Sequence, residues 1–377
     1  MKPNLSLKQN PSASFENDIY SKKSDGSFFS PFSISFDDME HLILVNFEKD
    51  PDEFYNTFEL QQARDKNNRK RFLVIAYRID GGSDVYHQPD YPFASQSGIL
   101  NNAEFIESPL DGAKFEINDD SLDVFFSFTD KSGRKITVKV NEDKTKMKKP
   151  FFLLAPVGVI SKTPVSLPFY SLYRMSFIRK NHAVIEIDID KVNRKPDTFP
   201  LPLDFSANFF TRYSADTFNV DLNKNYNGFL SPLKPVTNET EAEGITYELT
   251  DNNGHSEIKR MAAKKRNHEI TIDLYPPLPD IACLNDKIHL NGNFIISTDS
   301  SSGTLTGDYI LEKQGLDILM RLHASGGWQP NEKRWILKIL FLAVKVFKDW
   351  PKSYVWNARI SLSEPDRLLM KSHWERI

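Results

Sequence analysis

Residues 113–140 read AKFEINDDSLDVFFSFTDKSGRKITVKV, and this stretch decides the fold class. Phe115 and Ile117 alternate with Lys114 and Glu116, and Asp119 and Asp120 then turn the chain. Leu122, Val124, Phe126 and Phe128 share the next face, and Asp130, Lys131, Ser132 and Gly133 make a second turn. Ile136, Val138 and Val140 follow, alternating with Lys135, Thr137 and Lys139. Apolar residues at every second position put one face of a strand in a core and the other in water. The stretch therefore predicts a three-stranded antiparallel meander.

Working outward, the same period recurs at 42–47, 54–61, 72–79, 167–178, 183–190, 207–213 and 217–222. It returns at 245–249, 256–261, 268–274, 287–297, 305–311, 316–323 and 354–362. These segments predict an all-β chain of about 18 strands, its sheets closed or stacked on themselves. Between them, residues 231–244 carry Pro232, Pro235 and a polar acidic run, which is linker composition. The predicted layout is a disordered tail over 1–32, a first β-barrel domain over 33–230, a linker over 231–244 and a second domain over 245–377. One helix is predicted over 330–349, with Pro330 at its start and Pro351 just past its end. Arg334, Lys338, Lys345 and Lys348 fall on one face of it, and Trp335, Ile339, Leu342, Ala343 and Val346 on another.

Composition sets the bounds. At 377 residues the chain suits two domains with cores of their own. With 40% apolar and 26% charged residues it is neither a disordered polyelectrolyte nor a helical membrane bundle. Lys and Arg number 48 against 51 Asp and Glu, which argues against a surface built for nucleic acid. The single cysteine, Cys283, rules out an intramolecular disulfide and any zinc site made of several cysteines. A reducing, cytoplasmic location is expected, since the Ser- and Lys-rich start lacks a secretory apolar run. The apolar stretch 335–347 is broken by Lys338 and Lys345 and falls short of the ~20 residues of a spanning helix. Aromatic content is high, with 28 Phe, and the rings fall mainly on strand faces. Such faces either pack solid or line an apolar cavity.

Two successive lipocalin-like antiparallel β-barrels or sandwiches, without disulfides, resemble the double-lipocalin superfamily, which includes carotenoid hydratases and fungal cyclisation enzymes. The resemblance is architectural and spans about residues 33–377. It implies a cavity for an isoprenoid, polyketide or other lipid-like molecule, and no functional residue is carried over by motif.

No phosphate loop, dinucleotide fingerprint, helical metal-binding histidine pair or nucleophile elbow occurs, so neither a cofactor nor a metal is expected. The densest proton-exchanging stretch is 81–91, GGSDVYHQPDY. There His87 is suited to acid-base work, with Asp90 or Tyr86 to orient it, although the same residues also make an ordinary polar turn. Arg174 and Arg212 interrupt aromatic strands and offer forks for an anionic head group, with Tyr213 beside the second, although ion-paired or solvent-facing structural roles are the simpler reading. His323 and Trp328 bracket a Gly-rich join before the helix that reads as a lid or as a packed plug, and Trp356 lies on the apolar face of the last predicted strand. Basic runs at 64–71, 144–149 and 259–266 read as charged hairpin tips. Gathered beside the helix, they make a docking face for anionic lipid; otherwise the helix is a cover with Trp335 and Trp350 turned inward.

These readings lead to a cytoplasmic binding protein for an apolar small molecule. The alternatives are a cofactor-independent hydratase, isomerase or cyclase on such a molecule, and a membrane-peripheral scaffold.

Overall fold

The computed structural model describes residues 19–92, 103–143, 145, 148–157, 164–199, 202, 206–298, 302–343, 349–364 and 367–377. In chain order the strands begin with β1 (Ile34–Phe36), β2 (Met39–Asn46), β3 (Tyr55–Arg64), β4 (Lys70–Arg78), β5 (Ser83–His87), β6 (Glu104–Glu107), β7 (Lys114–Ile117) and β8 (Ser121–Thr129). They continue with β9 (Lys135–Asp143), β10 (Phe151–Pro156), β11 (Leu167–Arg179), β12 (Ala183–Ile189), β13 (Val192–Arg194), β14 (Asn208–Leu222), β15 (Tyr226–Leu230) and β16 (Glu239–Ala242). The last group is β17 (Ile245–Asn252), β18 (His255–Lys265), β19 (His268–Leu278), β20 (His289–Thr298), β21 (Thr304–Gln314), β22 (Asp317–Gln329), β23 (Tyr354–Glu364) and β24 (Arg367–Arg376). Helix α1 (Trp335–Ala343) lies between β22 and β23. The chain is mostly β, as its alternation predicts.

Strands β7, β8 and β9 form the predicted meander, with Phe115 opposite Val124, and Phe126 opposite Val138. With β12 and β13 they make a five-stranded sheet. A nine-stranded sheet runs β10-β11-β14-β2-β3-β4-β5-β6, with β1 on β14; β5 and β6 are parallel, so it is mixed. The two sheets stack as a sandwich. Ile43, Val45, Phe58, Leu60 and Val74 from one meet Val124, Phe126, Phe128, Val138 and Ile187 from the other in one buried core. Phe58 alone touches Phe47, Tyr55, Phe126 and Phe128. Here the aromatic excess fills space with rings.

The third sheet has ten strands in the order β15-β24-β23-β22-β21-β20-β19-β18-β17-β16. It includes β24, beyond the last predicted strand, with Leu368, Met370 and Trp374 buried on one face. Its edge strands β15 and β16 are neighbours in sequence, joined by residues 231–238. A flat ten-stranded sheet would be about 43 Å wide at ~4.8 Å per strand. The connection reaches at most about 30 Å. The sheet is therefore strongly curled, although no strand pairing closes it among the described residues. The stretch expected to be linker thus supplies β16, one edge of this sheet, and the end of the expected first domain supplies β15, the other.

Residues 19–32, expected to belong to a disordered tail, line the inside of this curl; the rest of that tail, 1–18, lies outside the described residues. Phe28 packs on Tyr247 of β17 and Phe32 on Trp356 of β23, so four residues bridge strands six apart in the sheet. Phe28 also pairs with Leu233 through both backbone hydrogen bonds, at 2.9 Å each. The segment is a plug, and Phe28, Phe29 and Phe32 are buried in the same core as the sheet's inner face.

That core runs on into the nine-stranded sheet, where Tyr173 stacks on His268 at 3.6 Å. His268 Nε2 contacts Asp216 at 2.7 Å, and Arg266 donates to the carbonyls of Met39 and Thr217. The run at 259–266 is thus a hairpin docked onto the other half. The run at 64–71 is neutralised locally, with Arg64 on Glu40 and both Arg69 and Arg71 on Asp65.

Candidate functional site

Of the acid-base trio, His87 and Tyr86 lie in strand β5 and not in a loop, and as strand neighbours they face opposite sides. Tyr86 is buried against Phe128, and its hydroxyl meets the Tyr55 hydroxyl at 3.1 Å and accepts from Lys131 N at 3.1 Å. His87 Nδ1 lies 3.1 Å from the Gln88 carbonyl. Asp90 is exposed and held by Arg69 and Arg71. The expected trio is spread over three environments.

His323 and Trp328 belong to the 13-residue strand β22, so the predicted lid is sheet. His323 Nε2 meets the Lys352 carbonyl, while Trp328 is buried, donates to Ser302 O and packs on Phe341. Trp356 is buried against the plug. Both tryptophans are core residues. Arg212 donates to Asn46 Oδ1 at 2.8 Å and to Phe210 O, on the face of the sheet that carries Glu59.

Glu59 anchors a closed polar network. Tyr77 donates to Oε2 at 2.7 Å, and Gln61 and Tyr170 to Oε1 at 2.7 and 3.0 Å. Tyr91 donates to Gln61 in turn. Burial pushes the Glu59 carboxyl above the usual carboxylate range, against the pull of these donors. With both oxygens taken, the network holds strands together and leaves no atom for a ligand.

Arg174 and Tyr213 do come together. They line a cleft of about 440 Å³ with Lys148, Ser176, Thr145 and Asp119 among its other walls. Ser176 and Tyr213 are cross-strand partners on β11 and β14, hydrogen-bonded through their side chains. Arg174 has a left-handed backbone, φ 52°, in mid-strand. Such a conformation costs a non-Gly residue of order 1–3 kcal/mol and concentrates at functional sites. Pairing with β10 slips by one residue beside it, and Arg174 is exposed. No carboxylate pairs with Arg174 among the described residues.

Lys148 comes from the 144–149 run. Its side chain is only 7% exposed and is paired with the buried carboxylate of Glu142, which also accepts from Arg179 N at 2.9 Å. Its ammonium lies 4.9 Å from the Tyr213 ring centre. Burial pulls the Lys148 ammonium down to about 8, opposed by Glu142, and burial raises Glu142. A narrow extension from Lys148 is lined by Lys149, Arg179, Arg334, Ile336 and Leu337 of the α1 region. Arg334 ties the two halves here, donating to the carbonyls of Lys149 and Pro150 at 2.5 and 3.2 Å.

Helix α1 departs from expectation beside this cleft. Trp335, Ile339 and Leu342 are 71%, 54% and 64% exposed, while Leu337 and Phe341 are buried. The spacing i, i+4, i+7 makes the exposed three one apolar stripe, with exposed Lys338 beside it. Trp335 therefore faces solvent and only Trp350 of the expected pair is buried. The helix buries its other face, and residues 344–348 of the predicted span lie outside the described residues.

Metal-type donors converge elsewhere, at His255, Asp280 and Cys283 in the C-terminal half. Among the described residues no helix is long and apolar enough to cross a membrane. No protein-family model, curated protein or solved structure matches the chain.

Proposed function

We propose that the chain binds an anionic, lipid-like molecule, with the head group at Arg174 and Lys148 and the apolar part along the exposed stripe of α1. The observation that carries the proposal is that Lys148 and Ser176 line both the cleft of Arg174, which has no carboxylate partner among the described residues, and the groove of Arg334, Ile336 and Leu337 at α1, a helix whose Trp335, Ile339 and Leu342 are exposed. Lys148, Lys149, Arg174, Arg179 and Arg334 outnumber the nearby carboxylates of Glu142, Asp119 and Glu332, so the cleft favours anions. Guanidinium forks suit carboxylate or phosphate oxygens, and a helix with a Trp-, Ile- and Leu-bearing face beside Lys suits the membrane interface. The ligand lies outside the sheets, because the interiors are taken up by rings and by the plug. A lipocalin-like barrel for the C-terminal half belongs to the same proposal, supported by the curl of the ten-stranded sheet.

The test is vesicle flotation at ~0.1 M and at high salt. Binding to phosphatidylserine-containing vesicles, absent with phosphatidylcholine alone and weakened by salt, is the expected result. No binding to either vesicle contradicts the proposal. Native mass spectrometry distinguishes a carrier, which retains one ligand in solution, from a peripheral protein that engages lipid only in the bilayer.

A hydratase, isomerase or cyclase acting at the same cleft is the second reading. It is favoured by Lys148 and Glu142, a buried base and acid whose charged forms are both disfavoured by burial. Under this reading the bound molecule leaves chemically changed, and Lys148→Met abolishes the change.

A further inference from the structure

Cys283 closes a short 3-10 turn (Ile281–Cys283) whose N-cap is Asp280, and the turn faces His255 at the start of β18. His255 Nδ1 and Asp280 Oδ2 are 3.2 Å apart, and Cys283 Sγ completes a set of three donor atoms that lie within 4.8 Å of one another. All three residues are buried. An imidazole nitrogen, a carboxylate oxygen and a sulfur are the donor types zinc takes. Donors bound at about 2.0–2.3 Å in a tetrahedron stand about 3.3–3.7 Å apart. The His255–Asp280 separation is close to that edge and longer than the ~2.7–2.9 Å of a charge-assisted hydrogen bond.

A second observation points the same way. Glu257 is two residues along β18 from His255 and shares its face. It is 0% exposed; Tyr20 and Asn252 donate to Oε1 at 2.6 and 2.7 Å, while Oε2 has no hydrogen-bond partner among the described residues. Tyr20 joins this carboxylate to the cluster, since its ring stacks on His255 at 3.7 Å and its hydroxyl accepts from Asp280 N. A buried carboxylate oxygen without a donor is costly unless positive charge lies near.

We propose that His255, Asp280 and Cys283 form a site for a divalent ion of the zinc class, with Glu257 as the adjoining acidic group. Binding forms the metal–sulfur bond and releases the thiol proton of Cys283 to solvent. The ion locks the plug, because Ser21 N donates to Cys283 O at 2.8 Å and Asn285 N to Ile19 O at 2.7 Å.

The full chain, stripped by chelator, is titrated with Co²⁺ and then Zn²⁺. The expected result is a thiolate-to-cobalt absorption band in the near ultraviolet that Zn²⁺ abolishes, and a melting temperature raised by Zn²⁺. Cys283→Ala, which needs no metal to keep its turn, loses the band, and its Zn²⁺ affinity falls by at least about 10–100-fold. Asp280→Asn weakens binding while leaving a sulfur-based band. Absence of both band and thermal shift in the folded wild type overturns the proposal, as does a band that persists in Cys283→Ala.

Discussion

The two halves of the molecule each bury an ionisable cluster, and the clusters differ in what seals them. Lys148, paired with Glu142, lines an open cleft together with Arg174, which has no carboxylate partner among the described residues. His255, Asp280 and Cys283 lie beneath Tyr20, which the chain's own N-terminal segment lays flat over the imidazole. The first borders a cleft open to solvent, whereas the second is buried beneath the plug. Binding capacity thus follows the seal more than the amount of buried charge, and Glu59, with every oxygen taken, shows the limit of a cluster that is purely structural.

The plug separates the halves most strongly. Phe32→Ala removes a buried ring between the segment and Trp356 and is expected to destabilise by about 3–5 kcal/mol in urea unfolding. Unchanged stability would mean that the segment is no part of the C-terminal core. Glu59→Gln is expected to cost about 1–3 kcal/mol, as the Tyr77 and Tyr170 hydroxyls lose a carboxylate acceptor, without affecting vesicle binding.

The cleft has a pH signature. Lys148 titrates near 8 when folded and near its ordinary 10.5 when unfolded, so between these values the unfolded chain binds more protons. Stability therefore rises with pH across that window. The rise is expected in urea midpoints of the wild type and is absent in Lys148→Met; an identical profile in both removes the assignment. Arg174→Gly relieves the left-handed φ and is expected to raise stability by up to about 1 kcal/mol while weakening anion binding. Loss of stability there would show that Arg174 serves the fold.

Much of this architecture was legible in alternation. The 113–140 meander and the strands from 245 to 362 follow directly from side chains at every second position. The plug was not legible, because Phe28, Phe29 and Phe32 stand in a Ser- and Pro-rich stretch without periodicity, and their burial depends on a curled sheet more than two hundred residues away. Strand β24 had the signal, LLMKSHW with Leu368, Met370 and Trp374 on one side, and β15 and β16 were hidden by the prolines between them. Of the site, Arg174 and Tyr213 could be suspected from charge among aromatics. Lys148 could not be separated from its basic neighbours, since what distinguishes it is burial against Glu142. His87, Asp90 and Tyr86 were close in sequence, but strand geometry sends successive side chains to opposite faces.

The central claim is that the exposed α1 stripe and the basic cleft together engage anionic lipid. Trp335 reports on it, because Trp328, Trp350, Trp356 and Trp374 are all buried while Trp335 is 71% exposed. Its fluorescence is predicted to shift to the blue on phosphatidylserine-containing vesicles and to be quenched by brominated acyl chains, with neither change in Arg174→Ala. Emission that stays red and open to aqueous quencher at saturating vesicle concentration would contradict the account.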